Sequence, residues 1–323
     1  MLDSEPGKVV ILIPVWNDWE TVALLLPSLD SAFAGQSTCF QVLLVDDGSV
    51  ENPPGIDRTF PNLCAIEILR LRRNLGHQRA IAVGLVHICE HIPCGCVVVM
   101  DGDGEDRPQD IVTLLTKYHS SGGRNVIFAA RAKRLESASF QISYHLYRVL
   151  HRLLTGIAVR VGNFSVIPGN RLPNLVVVSE LWSHYAAAVF RAGIPYETIP
   201  IDRGKRLIGR SKMNFHTLLI HGLSAIAVFG DLVSARLLAV TAAVMVVIIG
   251  LISAVVAVRY ATDLAIPGWA TYTAGLLVVI FSQALMMAFL LMIMIVAARS
   301  NATFLPLRDT PWFVFERKRI YPT

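Results

Sequence analysis

Two long segments without a charged residue constrain the fold of this chain more than any other feature. No Asp, Glu, Lys or Arg occurs in Leu237–Val258 or in Thr273–Ala298. At about 1.5 Å per residue, a helix over the first segment is long enough to cross a hydrocarbon core of roughly 30 Å. We therefore predict a transmembrane hairpin over residues 233–298, with spans at about 237–258 and 273–298, rather than two buried helices of a soluble protein.

The basic residues around these segments predict how the hairpin is oriented. The connecting loop has Arg259 against Asp263, whereas residues 299–323 hold five Lys or Arg residues. By the positive-inside rule, both chain ends lie in the cytoplasm and the chain is a multi-pass protein of the inner (cytoplasmic) membrane. The net charge of +5 suits an anionic membrane surface. No nucleic-acid-binding motif is present, so nucleic acid is not an expected partner.

The chain before the hairpin alternates apolar strand-like runs with helical patterns. Buried strands are predicted at Val9–Pro14, Gln41–Val45, Ala65–Leu71, Val97–Met100 and Asn125–Ala129. Alternating strands and helices are typical of an α/β domain with a parallel sheet and right-handed crossovers.

This pattern predicts four regions along the chain. They are an α/β domain over residues 1–210, with the whole sheet before the spans, an interfacial juxtamembrane helix over 211–232, the hairpin, and a basic cytoplasmic tail over 299–323. A basic amphipathic pattern over Phe140–Arg160 indicates either a second membrane-surface helix or a helix packed on the core. No signal peptide is expected before the first strand.

A dense group of carboxylates follows the fourth predicted strand. Asp101, Asp103, Glu105 and Asp106 come directly after Val97–Met100. Ligands of open α/β sheets bind at the carboxyl ends of the strands. Carboxylates this close repel one another unless a cation shares them, and oxygen ligands suit Mg²⁺ or Mn²⁺. The group indicates a site for a metal and a diphosphate, or else an acidic surface turn without a ligand.

Three more polar turns are expected at the same edge of the sheet. They are Pro14-Val15-Trp16-Asn17-Asp18, Asp46-Asp47-Gly48-Ser49 and Asn74-Leu75-Gly76. A basic segment, Arg206-x-x-Gly209-x-Ser211-Lys212, follows shortly before the hairpin. Arg and Lys in such a segment are suited to binding phosphates.

In this order the motifs resemble those of family 2 glycosyltransferases of the GT-A fold, over about residues 8–212. With two C-terminal spans, the chain resembles the polyprenyl-phosphate branch, which includes dolichol-phosphate mannose synthase and bactoprenol glucosyltransferases. The resemblance implies a GT-A (Rossmann-like), mostly parallel sheet followed by juxtamembrane helices and the hairpin. It also implies transfer of one sugar from a nucleotide-diphosphate sugar to an undecaprenyl- or dolichyl-type phosphate, with inversion.

The resemblance implies site residues by position. The nucleotide-sugar contacts are Pro14, Val15, Asn17, Asp46, Asp47, Gly76, Asp101 and Asp103. The ligands of Mg²⁺ or Mn²⁺ are Asp101, Asp103 and Glu105, the last in place of a frequent Gln. The catalytic residues are Asp103, Arg131, Arg206 and Lys212. The contacts to the acceptor phosphate are Arg206, Ser211 and Lys212.

One departure from the family pattern leaves alternatives open. Asn163-Phe164-Ser165 stands where many relatives have an Asp, and an amide cannot take a proton at neutral pH. A phosphate acceptor is already anionic, since its second pKa is about 6, and needs no base. The alternatives are transfer to another membrane lipid, or a catalytically silent nucleotide-sugar-binding subunit of a membrane complex. A transporter is disfavoured because neither span carries a charge at its middle. A homo-oligomer is left open.

The five cysteines give a weaker signal. An odd count in a cytoplasmic domain favours reduced thiols. Cys89, His91, Cys94 and Cys96 form an alternative zinc set, although the Cys-x-Cys spacing is tight for a structural site.

Overall fold

An eight-stranded mixed sheet forms the centre of the larger of two structural units. The structure is a computed structural model that describes residues 7–53, 58–131, 149, 152–156, 161–202, 204–208, 223–262, 268–300 and 304–322. The larger unit takes in residues 1–148, 158–228 and 303–323, and the smaller one 149–157 and 229–302.

The order of the strands explains where the chain collects its polar turns. The strands are β1 (Lys8–Val15), β2 (Cys39–Asp46), β3 (Leu63–Leu71), β4 (Cys96–Val99), β5 (Val126–Arg131), β6 (Val161–Pro168), β7 (Tyr196–Ile201) and β8 (Val314–Tyr321). Their order is β7-β5-β6-β4-β1-β2-β3-β8. β1 is parallel to β2 and β4, β2 to β3, and β5 to β7. The predicted parallel core is confirmed, but antiparallel β6 separates β5 from β4.

Helices cover both faces of the sheet, which is why its central strands are apolar on both sides. The helices are α1 (Trp19–Ala32), α2 (His77–His91), α3 (Pro108–Ser120), α4 (Leu172–Val176) and α5 (Tyr185–Arg191). Alternate residues of β1 enter two separate cores. Val10 and Leu12 pack in the core that contains α2, α4 and α5, whereas Ile11 and Ile13 pack in the one that contains α1 and α3.

The smaller unit contains the two apolar helices predicted from the sequence. They are α6 (Gly230–Ala261) and α7 (Trp269–Ser300), and they pack against each other. Only 11% and 6% of their most apolar windows are buried, so they are not core helices of a soluble protein. The hairpin is confirmed, with helices that extend beyond the predicted spans. Most of the predicted interfacial helix, and most of Phe140–Arg160, lie outside the described residues and stay predictions.

The segment after the hairpin returns to the sheet, so the prediction of a separate basic tail over residues 299–323 was wrong. A short helix, α8 (Pro306–Asp309), precedes β8, which pairs antiparallel with β3. The rings of Phe304 and Phe313 pack against Trp182, with centroids 4.1 and 5.3 Å away. The sequence hides this strand because Glu316-Arg317-Lys318-Arg319 is continuously charged, a composition that an exposed edge strand tolerates. A chain truncated before the hairpin would therefore lose part of its sheet.

The expectation of reduced thiols also needs correction. Cys39 and Cys64 are joined by a disulfide bond, with their Cα atoms 5.6 Å apart. The two cysteines lie on neighbouring strands, β2 and β3, which brings their side chains together although 25 residues separate them. Cys89, Cys94 and Cys96 are free thiols.

The contribution of β8 to stability can be measured at one ion pair. Arg317 Nε and Nη2 each lie 3.0 Å from Glu67 Oε2, and Glu67 is buried. We expect Arg317→Met to lower the free energy of unfolding by about 1–3 kcal/mol, because a buried carboxylate loses its partner. Chemical unfolding of the full chain in detergent measures this.

The matched control is Arg319→Met on the same strand, where the side chain is exposed. Its effect should stay within about 0.5 kcal/mol. Equal losses in both variants would contradict the assignment of β8 as a strand fixed through Glu67.

Candidate active site

The parallel strands place four polar turns at one edge of the sheet. Val15 at the end of β1 pairs with Asp46 at the end of β2. β4 leads directly into Asp101, and antiparallel β6 brings Asn163 to the same edge. The pocket at this edge is lined by the carboxylates of Asp101, Glu105, Asp106, Asp110 and Asp202, together with Asn163. The edge is therefore strongly acidic, as the sequence predicts.

Asp47 uses both carboxylate oxygens to hold the neighbouring turn. Oδ1 accepts the Leu75 N–H at 2.7 Å, and Oδ2 accepts the Gly76 N–H at 2.9 Å. Burial raises the pKa of Asp47, although the two backbone hydrogen bonds act in the opposite direction. Gly76 has φ +94°, a conformation that favours glycine. Asp47 thus positions the turn before α2, a role that spacing alone does not reveal.

Asp46 is fully buried and differently bonded. Its Oδ1 accepts the Ser49 N–H at 2.8 Å, and its Oδ2 lies 3.5 Å from Arg70 Nε. A ligand reaches Asp46 only after the side chains around it move. The contact of Asp46 with a nucleotide therefore stays a prediction.

Asn17 joins the first turn to the second. Its backbone N–H donates to Ser49 Oγ, and its Oδ1 accepts the Val50 N–H, both at 2.9 Å. Asn17 has φ +46°, which Asn tolerates better than most residues. Pro14 and Val15, the last residues of β1, are buried just before it. These three residues shape the edge, and their predicted nucleotide contacts stay predictions.

Asp103 is paired with Arg206, although 103 residues separate them in sequence. Arg206 Nη2 lies 2.7 Å from Asp103 Oδ2, and Asp103 Oδ1 accepts the Glu105 N–H at 3.0 Å. Leu207 covers Gly104 so closely that a Cβ there would lie 2.4 Å from Leu207 Cγ. The segment over residues 204–208 is therefore packed on the carboxylate turn. The structure brings together these two predicted site residues.

Asp101 contacts Asn163, which the sequence singled out, and His77, which it did not. His77 Nε2 lies 3.1 Å from Asp101 Oδ1 and 2.9 Å from Asn163 Nδ2, so the protonation of His77 decides which contact is a hydrogen bond. Gln78 Nε2 donates to Asn163 Oδ1 at 3.0 Å, and Gln78 Oε1 accepts the Tyr185 N–H at 2.7 Å.

Burial lowers the pKa of His77, but the neighbouring carboxylates, Asp101 first, raise it more, and the net shift is upward. The sequence signal for His77 and Gln78 was their position directly after the Asn74-Leu75-Gly76 turn.

Three predicted site residues are not placed. The backbone of Arg131 ends β5 beside Ile201, but its side chain lies outside the described part of the structure. Ser211 and Lys212 lie outside the described residues altogether. Their predicted roles stay predictions.

A metal site fits this edge by chemistry but is not assembled by the described side chains. Carboxylate oxygens are suitable ligands for Mg²⁺ or Mn²⁺. Within the ranges that the structure describes, no three His, Cys, Asp or Glu side chains come together in a way that could hold a metal. Arg206 contacts one oxygen of Asp103, and His77 with Asn163 surrounds one oxygen of Asp101. A cation that binds through these same two oxygens would displace these contacts. The alternative zinc set of cysteines is not assembled among these residues either.

The chain is similar in sequence to known glycosyltransferases. The sequence profile described as Glycosyl transferase family 2 matches residues 10–172. Uncharacterized glycosyltransferase YkcC of Bacillus subtilis (strain 168) is 24% identical over 225 residues, which cover 68% of this chain and 67% of the relative. Undecaprenyl-phosphate 4-deoxy-4-formamido-L-arabinose transferase of Salmonella choleraesuis (strain SC-B67) is 25% identical over 226 residues, with the same coverage.

A solved structure supports the fold. Glucosyl-3-phosphoglycerate synthase from Mycobacterium tuberculosis, in complex with Mn²⁺, UDP-glucose and phosphoglyceric acid, aligns with a TM-score of 0.50 at 12% identity. The alignment covers 70% of this chain and 80% of that chain. At this identity the likeness shows the fold alone, and it confirms the predicted GT-A architecture.

The role of Asp47 is testable by an isosteric change. The amide of Asn at position 47 can accept only one of the two N–H groups of Leu75 and Gly76, and its own NH₂ group then faces the other N–H. We expect Asp47→Asn to lower the free energy of unfolding by about 1–3 kcal/mol. Asp46→Asn is the comparison, because Asp46 accepts a single backbone N–H and an amide oxygen can still accept it. Chemical unfolding should show a clearly smaller loss for Asp46→Asn, and equal losses would argue against the role of Asp47 as the residue that positions this turn.

Proposed function

The chain belongs to glycosyl transferase family 2, as its motifs predict, and on this premise we propose that it transfers one sugar from a nucleotide-diphosphate sugar to a polyprenyl phosphate. The observation that carries the proposal is the contact between Asp103 and Arg206. It joins the acidic edge, where a donor diphosphate and its cation would bind, to a basic segment that precedes the apolar hairpin. A lipid phosphate would approach along that segment.

Arg206 is suited to either of two partners. Its guanidinium pairs with the Asp103 carboxylate at 2.7 Å, and the same planar group binds phosphate oxygens in pairs. Asp101, Asp103 and Glu105 would hold Mg²⁺ or Mn²⁺, which would supply positive charge opposite the leaving diphosphate. Arg206, released from Asp103, would then contact the acceptor phosphate with Ser211 and Lys212. Arg131 would contact the donor phosphates.

The acceptor removes the need for a general base at Asn163. A phosphomonoester is largely dianionic at neutral pH, because its second pKa is about 6. One of its oxygens would attack the anomeric carbon on the face opposite the diphosphate. The bond from that carbon to the diphosphate oxygen would break, which inverts the configuration and releases a nucleoside diphosphate. Asn163 would position His77 and Gln78 at this edge.

The apolar helices and one relative support a membrane acceptor. α6 and α7 are long enough to cross a membrane and are largely exposed. The Salmonella relative is named as an undecaprenyl-phosphate transferase. We place the protein in the cytoplasmic membrane, with its catalytic unit and both chain ends in the cytoplasm. A second candidate, a catalytically silent nucleotide-sugar-binding subunit, is suggested by Asn163 alone.

One assay tests the proposed function. The purified full chain in lipid nanodiscs is incubated with undecaprenyl phosphate and a panel of sugar-labelled nucleotide sugars, with and without Mg²⁺ or Mn²⁺. We expect cation-dependent formation of a lipid-linked sugar from at least one donor. Binding of a donor without any product would favour the silent subunit, and a product only on another lipid would refute the acceptor.

Asp103→Asn should reduce transfer by at least about 100-fold, because the amide lacks the charge that a cation requires. The fold should be retained, since the amide oxygen can still accept the Glu105 N–H. Glu90→Gln, which changes an exposed carboxylate in the last turn of α2, is the control and should keep its activity. Initial rates over a titration of the cation measure the effect. Rates like those of the unmodified protein at limiting cation would contradict the assignment of Asp103 as a metal ligand.

Arg206→Ala should raise the acceptor KM or lower kcat by about 10- to 100-fold and change donor affinity less. Arg206→Lys should behave nearly as poorly, because an ammonium does not reproduce the paired geometry of guanidinium. Lys205→Ala, an exposed neighbour, should stay within about threefold of the unmodified protein. Separate titrations of donor and acceptor distinguish the roles, and a defect confined to the donor KM would assign Arg206 to the leaving diphosphate instead.

A further inference from the structure

An exposed aromatic and basic surface lies where β8 joins the sheet. We call it the edge patch, and it consists of Arg72, Arg73, Trp312 and Phe315. Trp312 is 79% exposed and Phe315 58% exposed, and both arginines are exposed. Large aromatic side chains held at the surface beside basic groups are typical of a binding surface rather than of an inert one.

Arg72 holds the patch together. Its backbone N–H donates to the Phe313 carbonyl at 2.8 Å, and its Nε donates to the Trp312 carbonyl at 3.2 Å. Its guanidinium carbon lies 5.9 Å from the centre of the Phe315 ring. The aromatic side chains are therefore presented by an ordered segment, not by a frayed chain end.

The patch lies at the same edge of the sheet as the candidate active site. Val314 at the start of β8 pairs with Leu71 at the end of β3. β3 runs parallel to β2, and Arg70 pairs with Asp46. Arg72 and Arg73 thus extend beyond the same strand ends that carry the acidic turns, so a surface that contacts the patch also faces this edge.

The charge of β8 matches an anionic partner. Lys318 and Arg319 are exposed on the same strand, whereas the charge of Arg317 is balanced by Glu67. Glu316 is the only acidic residue of the strand. Trp is enriched at the level of lipid headgroups, and Lys and Arg side chains are attracted to an anionic bilayer. Residues 301–313 lie between the end of α7 and the start of β8 in the chain.

We propose that the edge patch docks the catalytic unit on an anionic phospholipid surface. The rings of Trp312 and Phe315 enter the headgroup region, and Arg72 and Arg73 contact lipid phosphates. The inference rests on the proposed function, in which the acceptor phosphate waits at the bilayer surface. Docking there would turn the acidic edge and Arg206 toward that phosphate. A protein partner on the same patch is the competing outcome.

The test uses the full chain in nanodiscs without any substrate. Nanodiscs are made of neutral or of mixed neutral and anionic phospholipids, with bromine on the acyl chains near the headgroups to quench nearby Trp fluorescence. The fluorescence of Trp312 is obtained as the difference in emission between the unmodified protein and Trp312→Phe. Trp269, at the start of α7, serves as the membrane-embedded reference through Trp269→Phe.

We expect the Trp312 contribution to be quenched in anionic nanodiscs and at least about twofold less in neutral ones or at high salt. Combining Arg72→Gln with Phe315→Ser should reduce the quenching at least about twofold. Leu24→Ser, which removes an exposed apolar side chain from α1, should leave it unchanged.

Absence of Trp312 quenching while Trp269 is quenched would overturn the proposal, and so would equal quenching in neutral and anionic lipid. If Trp312 is shielded from the surroundings only after another protein is added, the patch is assigned to that protein partner. Because no sugar transfer is measured, failure of the docking and failure of the proposed reaction can be told apart. If Trp312 is quenched but the protein forms no lipid-linked sugar, the docking proposal stands and the proposed sugar transfer is refuted.

Discussion

Parallel pairing of β1 with β2 and β4 is the constraint on which the candidate site depends. It brings the ends of three strands to one edge, so turns that lie about 30 and 55 residues apart in sequence become neighbours. Hydrogen bonds between the turns then fix their positions. Asn17 ties the first turn to the second, and Asp47 ties the second to the turn before α2. The shape of this edge therefore depends on polar side chains that hold the turns together and need not contact a substrate.

The second physical problem at this edge is the density of negative charge. The structure balances part of it with basic side chains, of which Arg107 is local and Arg206 and His77 come from other parts of the chain. Arg206 pairs with Asp103, Arg107 binds Asp110 through two hydrogen bonds of 2.7 and 3.0 Å, and His77 lies beside Asp101. Binding of a divalent cation and a diphosphate would change this balance, because the cation adds positive charge at the edge and the diphosphate adds negative charge. The pairing of Arg206 with Asp103 links that change to the basic segment that precedes the hairpin in the chain.

The sequence predicted the features that depend on local pattern. Apolar runs predicted β1, β2 and β4, and the absence of charge predicted the hairpin. It missed β8 because an edge strand such as Glu316–Arg319 needs no apolar alternation. It missed the internal role of Asp47 because a carboxylate bound to two backbone N–H groups looks, in sequence, like one that binds a ligand. The proximity of Asp103 and Arg206 was implied only by the family resemblance, since no spacing rule brings residues so distant in sequence together.

In the proposed reaction the lipid phosphate itself attacks the sugar at this edge and displaces the whole nucleoside diphosphate. A donor labelled with tritium in the sugar and with radioactive phosphorus in the β-phosphate tests it most directly. After incubation with the full chain and polyprenyl phosphate, the lipid product should carry tritium and no radioactive phosphorus, which should remain in the nucleoside diphosphate. Radioactive phosphorus in the lipid, or free labelled sugar as the only product, would contradict the account.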